Sequence, residues 1–376
     1  MHKAIPLAIR CYHNIELLED LSQSEWDLFI RQARRSNMLG RFHALAEQAD
    51  LLGSIPEQPK THLMAAKIEA DRVGLAARWE IGQIAKALYR LSVPFIVLKG
   101  AAYALNNLAV CRGRVFNDVD ILVPKSALKN VEKNLVSHGW MTTHLDAYDQ
   151  RYYRQWMHEL PPMRHLIRKT NLDVHHGLLP DTVQKRPDPA LLFESATPIS
   201  ELEDVYVLSP VDMWLHSATH LFQEGEFNNG FRDLADLDQL TREFSQADNF
   251  WEELLDRAVA LNLTRQLYYA LSYARTILAT PVPDSVFDSV QAYAPKQPIK
   301  LFMDQLFSQA FRPLHHSCDT ASGPMARWML YIRSHAIKMP PHLLLPHLAH
   351  KSFVTPYTEW KQNRIKVKNP NLVPNR

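Results

Sequence analysis

Two short segments set the terms for the fold. Val93-Pro-Phe-Ile-Val-Leu-Lys-Gly100 is an apolar run that stops at a glycine and leads into small, helix-prone residues. Asn117-Asp-Val-Asp-Ile-Leu-Val123 is a second apolar run, carrying Asp118 and Asp120. Runs of this length suit strands rather than helices. In a strand, positions i and i+2 share a face, so the two carboxylates point together from an otherwise apolar segment. Like charges held so close cost free energy unless a cation sits between them. A divalent metal is the cation this pair points to, and metal with phosphate is the chemistry that follows.

The surrounding pattern places these strands in a small α/β unit. Before Val93 the chain reads as helical: a segment capped by Ser24, running to Leu52 with a break near Asn37, then Thr61 to Leu91 as one long helix or two with a bend near Gly74. After Gly100 a helix is expected from Ala101 to Leu108, then a strand from Phe116 to Val123. A helix from Ser126 to His138, started by Pro124 and closed by Gly139, comes next. Met163–Lys169 and Leu172–His176 read as a hairpin around Thr170-Asn171. Alternating strands and helices from 93 to 180 define the α/β unit. A Pro- and Asp-rich linker follows Pro180. Ser209-Pro-Val-Asp212 is a strong helix start, and helices are expected to about Tyr293. The last segment, 301–376, reads as a helical extension ending in a basic tail from Lys361.

Composition narrows the class. The 376 residues suffice for two or three domains, and a net charge of +2 gives no broad electrostatic case for a nucleic-acid partner. Three scattered cysteines without a CxxC pair suggest a reducing compartment and no thiolate metal site. No signal peptide or membrane-length apolar run is read, so a cytoplasmic location is expected.

Asp173, in Leu172-Asp-Val-His-His176, fits as the third carboxylate of a Mg²⁺ site, with His175 on the same strand face. Solvent-facing turn aspartates are the competing reading. Lys99 and Gly100 form a strand-to-helix junction suited to phosphate, or an ordinary tight turn; neither GxxxxGK[ST] nor GxGxxG is present. Arg112 and Arg114 could hold a triphosphate or balance the aspartates. Asp212, His216 and His220 share a helix face, but His-Glu-x-x-His is absent, so zinc is a minor option. Arg232 and Asp236 stand one helical turn apart, as an ion pair or facing a nucleotide cleft.

Leu98-Lys-Gly100, Arg114-Val-Phe-Asn-Asp-Val-Asp-Ile-Leu-Val123 and Leu172-Asp-Val-His175 together resemble the uncharacterised bacterial nucleotidyltransferases of the DNA polymerase β-like superfamily. So do His220 with Arg232-Asp-Leu-Ala-Asp236, and the segment Trp251 to Pro281. The resemblance runs from about residue 20 to 300. It implies an α/β (α+β) fold: a polymerase-β-like core with a mixed sheet at 93–180, an N-terminal helical region at 1–92 and a helical domain at 181–300. It implies transfer of a nucleoside monophosphate from an NTP, such as ATP, to a hydroxyl-type acceptor with release of pyrophosphate. Asp118, Asp120 and Asp173 would hold Mg²⁺, or Mn²⁺ in its place. Lys99, Gly100, Arg112, Arg114, His175, Arg232 and Asp236 would meet the nucleotide. The superfamily's usual Gly-Ser is Lys99-Gly100 here, so a differently built phosphate loop is expected. The rival readings are a catalytically silent nucleotide-binding scaffold on the same fold and a His/Asp metal-dependent hydrolase. The acceptor and the oligomeric state are not legible.

Overall fold

The structure is a computed structural model that describes residues 5–143, 146–223 and 225–349. The basic tail expected from Lys361 lies outside the described residues. Seven strands form one mixed sheet: β1 (Phe95–Leu98), β2 (Asp118–Leu122), β3 (Trp140–Thr142), β4 (Met163–His165), β5 (Asn171–His175), β6 (Thr197–Pro198) and β7 (Val205–Val207). Their order is β3-β4-β5-β2-β1-β7-β6. β2 pairs parallel with β5 and β1 with β7, while the other pairs are antiparallel. All four residues of β1 are buried. That explains its unbroken apolar character, since a strand covered on both faces has no reason to alternate. The sheet does not end at residue 180: β6 and β7 come from the segment beyond it and extend the edge next to β1.

Helices surround the sheet. Before it come α1 (Leu7–His13), α2 (Gln23–Arg35), α3 (Leu39–Gln48) and α4 (Glu57–Leu88); within it come α5 (Lys99–Leu105), α6 (Leu128–Ser137), α7 (Ala147–Trp156) and α8 (Pro189–Glu194). After it come α9 (Pro210–Gln223), α10 (Gly230–Phe244), α11 (Phe250–Ala260), α12 (Thr264–Leu278), α13 (Asp284–Val290), α14 (Ile299–Ala310), α15 (Gly323–Lys338) and α16 (Pro341–Ala349). α2 starts two residues earlier than the sequence suggested. Its cap is Ser22, whose side chain accepts from the Glu25 amide while Glu25 accepts from the Ser22 amide. This reciprocal box satisfies two orphan donors, which Ser24, already in the first turn, cannot do.

α4 is a single unbroken helix of 32 residues, about 48 Å long at 1.5 Å per residue. Leu63, Ala70, Ala77, Ile81, Ile84 and Leu88 form its buried stripe. Glu80, 1% exposed, locks it to the sheet. Arg168 grips the Glu80 carboxylate at 2.8 and 2.9 Å, and Thr170 adds a third bond at 2.8 Å. The charged pair is thus fully hydrogen-bonded, the condition under which burying it is tolerable.

α9 begins as the sequence suggested. The Ser209 hydroxyl accepts from the Asp212 amide, and Pro210 occupies the first helical position. The Asp212 side chain faces α11, where Arg257 holds it at 2.7 and 2.8 Å and Ser195 donates to it at 2.6 Å.

Candidate functional site

Two adjacent strands, β2 and β5, assemble the carboxylates. β2 and β5 run parallel in a register that puts Asp120 opposite Asp173 and Asp118 opposite Asn171. Period-two alternation then brings three carboxylates to one face. Their oxygens lie within 4.8 Å of one another. Asp120 is 2% exposed, whereas Asp118 opens onto the cleft.

Lys99 reaches this cluster because of an unusual backbone. It follows Leu98, the β1 partner of Asp120, and its φ is +50°. A lysine in the left-handed region costs of order 1–3 kcal/mol, the kind of strain that persists at functional sites. The result is an ammonium 2.8 Å from Asp120 Oδ1. His175 Nε2 shares the same oxygen at 3.0 Å, and His175 Nδ1 lies 3.4 Å from Glu159 Oε2. The strain thus sits on Lys99, not Gly100. Gly100 is glycine for a different reason: a Cβ there would lie 2.3 Å from Arg114 Nη1 and 2.8 Å from the Phe116 ring.

These contacts push the carboxyls apart. Lost hydration would raise the Asp120 pKa, but the Lys99 charge and the His175 hydrogen bond outweigh it and hold that carboxyl well below its ordinary range. Asp118 is raised by the protein crowding it and then by the Asp120 charge. Asp173 is raised to about 7 by burial, then by Asp120 and Glu159. Burial works against a charged His175, yet its bond to Asp120 and the Glu159 charge raise its pKa.

The cluster borders a cleft of about 280 Å³ between the sheet and α10. Lys99, Gly100, Arg114, Asp118, Asp120, Arg232 and Asp236 line it. Arg112 is exposed and does not line it, because the chain turns at Gly113 between the two arginines. The one-turn pairing of Arg232 with Asp236 is not formed. Arg232 bonds Asp233 at 2.7 and 2.9 Å. Asp236 accepts from Arg41 at 2.8 Å and from Arg114 at 2.6 Å. A buried carboxylate with two guanidiniums converging from α3 and from the β2 approach has no need of a third. Arg114 also lies over the Tyr103 and Phe116 rings at 5.5 and 5.7 Å, and its Nη1 is buried without a hydrogen-bond partner.

A second cavity, about 310 Å³, lies on the other side of Lys99. It shares Lys99, His220 and Glu226 with the first and is otherwise lined by α7, α9, α15 and the approach to β5. His158, Glu159, His175 and His216 stand in its wall. Burial drives the pKa of His158 and His216 well below the ordinary histidine value, so both are neutral. The helix-face trio does not converge on an ion, since Asp212 turns away to Arg257. His158 and Glu159 escaped sequence reasoning. They precede Leu160-Pro-Pro162 in no recognisable motif and reach the site only through an isolated bridge between Glu159 and His175.

The carboxylate cluster suits a hard divalent cation. It offers oxygen donors only, its charge is unbalanced enough to raise two of three carboxyls, and a cationic group already sits on the third. No helix among the described residues is long and apolar enough to cross a membrane. No curated protein and no solved structure matches the chain. A family model does, over residues 22–279, which takes in α2–α12 and the whole sheet. The chain belongs to an uncharacterised nucleotidyltransferase family.

Proposed function

We propose that this chain transfers a nucleoside monophosphate from a Mg-bound NTP to an acceptor hydroxyl, on the pattern of the polymerase-β-like enzymes. The observation that carries the reading is the trio Asp118, Asp120 and Asp173, gathered within 4.8 Å, of which Asp118 and Asp120 line a cleft walled by Arg114 and Arg232. When bound there, the cation would neutralise phosphate charge and polarise the α-phosphorus. Asp118 and Asp120 would hold it. Oδ1 of Asp120 is taken by Lys99 and His175, which leaves Oδ2 for the metal. Arg114 and Arg232 would face the triphosphate, where guanidiniums match phosphate oxygens. Asp173 would complete the metal site or receive the acceptor's proton. The acceptor oxygen bonds to the α-phosphorus, the bond to the β-phosphate oxygen breaks, and pyrophosphate leaves. The acceptor would enter from the second cavity, which meets the first at Lys99.

A second reading has one observation behind it. The Lys99 ammonium on Asp120 already supplies a positive charge there, which suits a nucleotide-binding protein without turnover. α-Labelled NTPs incubated with the protein, Mg²⁺ and a cell extract separate the two. Label transfer matched by pyrophosphate, lost in Asp118→Asn and Asp120→Asn, supports the enzyme. Nucleotide binding with no transfer to any fraction would leave the silent reading.

A further inference from the structure

We propose that the second cavity contains a separate site for a nitrogen-preferring divalent cation of the zinc class, held by His158, Glu159 and His175. One ligand atom from each of these residues lies within 4.8 Å of the others. The donor set is two imidazoles and a carboxylate, which suits Zn²⁺ or Co²⁺, whereas the three aspartates suit Mg²⁺.

Two further observations point to an ion. His158 Nδ1 is buried without a hydrogen-bond partner. A buried polar nitrogen left so is uncommon and costly, and calls for an explanation. His175 already carries the outer support that a metal-bound imidazole needs: its Nε2 meets Asp120 at 3.0 Å, which fixes the ring and turns Nδ1 toward Glu159. Metal-ligating histidines almost always have such a partner on the other nitrogen.

The backbone fixes the three residues relative to one another. His176 N donates to His158 O at 2.7 Å, and Leu160 N donates to Val174 O at 2.9 Å. The approach segment and β5 are thereby stitched together on both sides of Glu159. Zinc–ligand bonds of about 2.1 Å require ligand atoms roughly 3.4 Å apart, so small side-chain rotations close the site. Three protein ligands beside an open cavity leave a position for water or an exogenous oxygen, the arrangement of catalytic rather than structural zinc. The inference stands whether or not nucleotidyl transfer is the reaction.

The test is Co²⁺ titration of the full, chelator-stripped chain, read by the visible ligand-field absorption that nitrogen ligation intensifies. One equivalent is expected to develop the band, excess Mg²⁺ to leave it in place, and the Asp118→Asn/Asp173→Asn variant to retain it. His158→Gln is expected to weaken Co²⁺ binding at least tenfold, and Glu159→Gln serves if that variant does not fold. A band unchanged in His158→Gln, or one that Mg²⁺ abolishes, overturns the proposal. X-ray absorption of the zinc-loaded wild type gives an independent reading: two imidazoles in the zinc shell support the site, and an all-oxygen shell refutes it.

Discussion

Asp236→Asn is expected to be among the most destabilising single changes in this protein. Its carboxylate is 3% exposed and holds two guanidiniums, Arg41 at 2.8 Å and Arg114 at 2.6 Å, themselves 3% and 9% exposed. The pairs fasten α10 to α3 and to the segment leading into β2. Taking away the charge leaves two cations buried without compensation, and Arg41 Nε, Arg41 Nη1 and Arg114 Nη1 already have no partner. Breaking a buried pair from one side costs about 3–5 kcal/mol, and an amide can replace only part of what the carboxylate accepts. A loss of about 4 kcal/mol is therefore expected. Urea unfolding reads it, followed by circular dichroism and by the fluorescence of buried Trp26 and Trp214; coincident transitions justify a single free energy. Asp233→Asn is the control. Burial already raises the Asp233 carboxyl toward its neutral form, against the Arg232 charge, so the loss there should stay within about 1.5 kcal/mol. If Asp236→Asn loses no more than Asp233→Asn, the reasoning fails.

Three further outcomes are expected. Gly113→Ala should reduce soluble yield and cost several kcal/mol, because Gly113 has φ +71° and a Cβ there would lie 2.0 Å from the Gly40 backbone; a thermal midpoint equal to wild type would contradict this. Arg112→Ala should leave nucleotide affinity intact and stability within about 0.5 kcal/mol, as for an exposed side chain away from the cleft, so weakened binding would put Arg112 back in the site. Asp173 sets a pH dependence: its folded carboxyl keeps its proton to about 7, so its contribution to stability falls as pH rises from the ordinary carboxylate value to about 7. A divalent cation needs the ionised form. The Mg²⁺-induced rise in unfolding temperature should be small at pH 5.5, grow through 7 and level by 8.5, and Asp173→Asn should abolish the pH trend; a shift independent of pH would refute it.

Much of the candidate site's geometry was legible because local pattern and topology agreed. Asp118 and Asp120 share a face by strand alternation alone, and Asp173 joins them because the parallel β2–β5 register aligns it with Asp120. β1 and β2 were readable as apolar runs, and the α9 cap as a Ser-Pro start. The two- and three-residue strands β3, β6 and β7 were not, since nothing so short carries a period; β4, equally short, was readable only through its hairpin with β5. Arg232 and Asp236 show the limit of spacing arguments. One helical turn makes contact available, but Asp236 is claimed by arginines 122 and 195 residues away in sequence. Lys99 illustrates the same limit. Its position was evident, but the left-handed backbone that swings its ammonium onto Asp120 belongs to the packed junction of β1 and α5.

The most direct test of the metal–nucleotide site is calorimetric titration of each NTP into the wild type and into Asp118→Asn, with and without Mg²⁺. Asp118 opens onto the cleft, so its substitution should leave the fold undisturbed. Binding of at least one NTP that requires Mg²⁺ in the wild type and weakens at least tenfold in Asp118→Asn is the expected result. Equal affinity in both proteins, or binding indifferent to Mg²⁺, would contradict it.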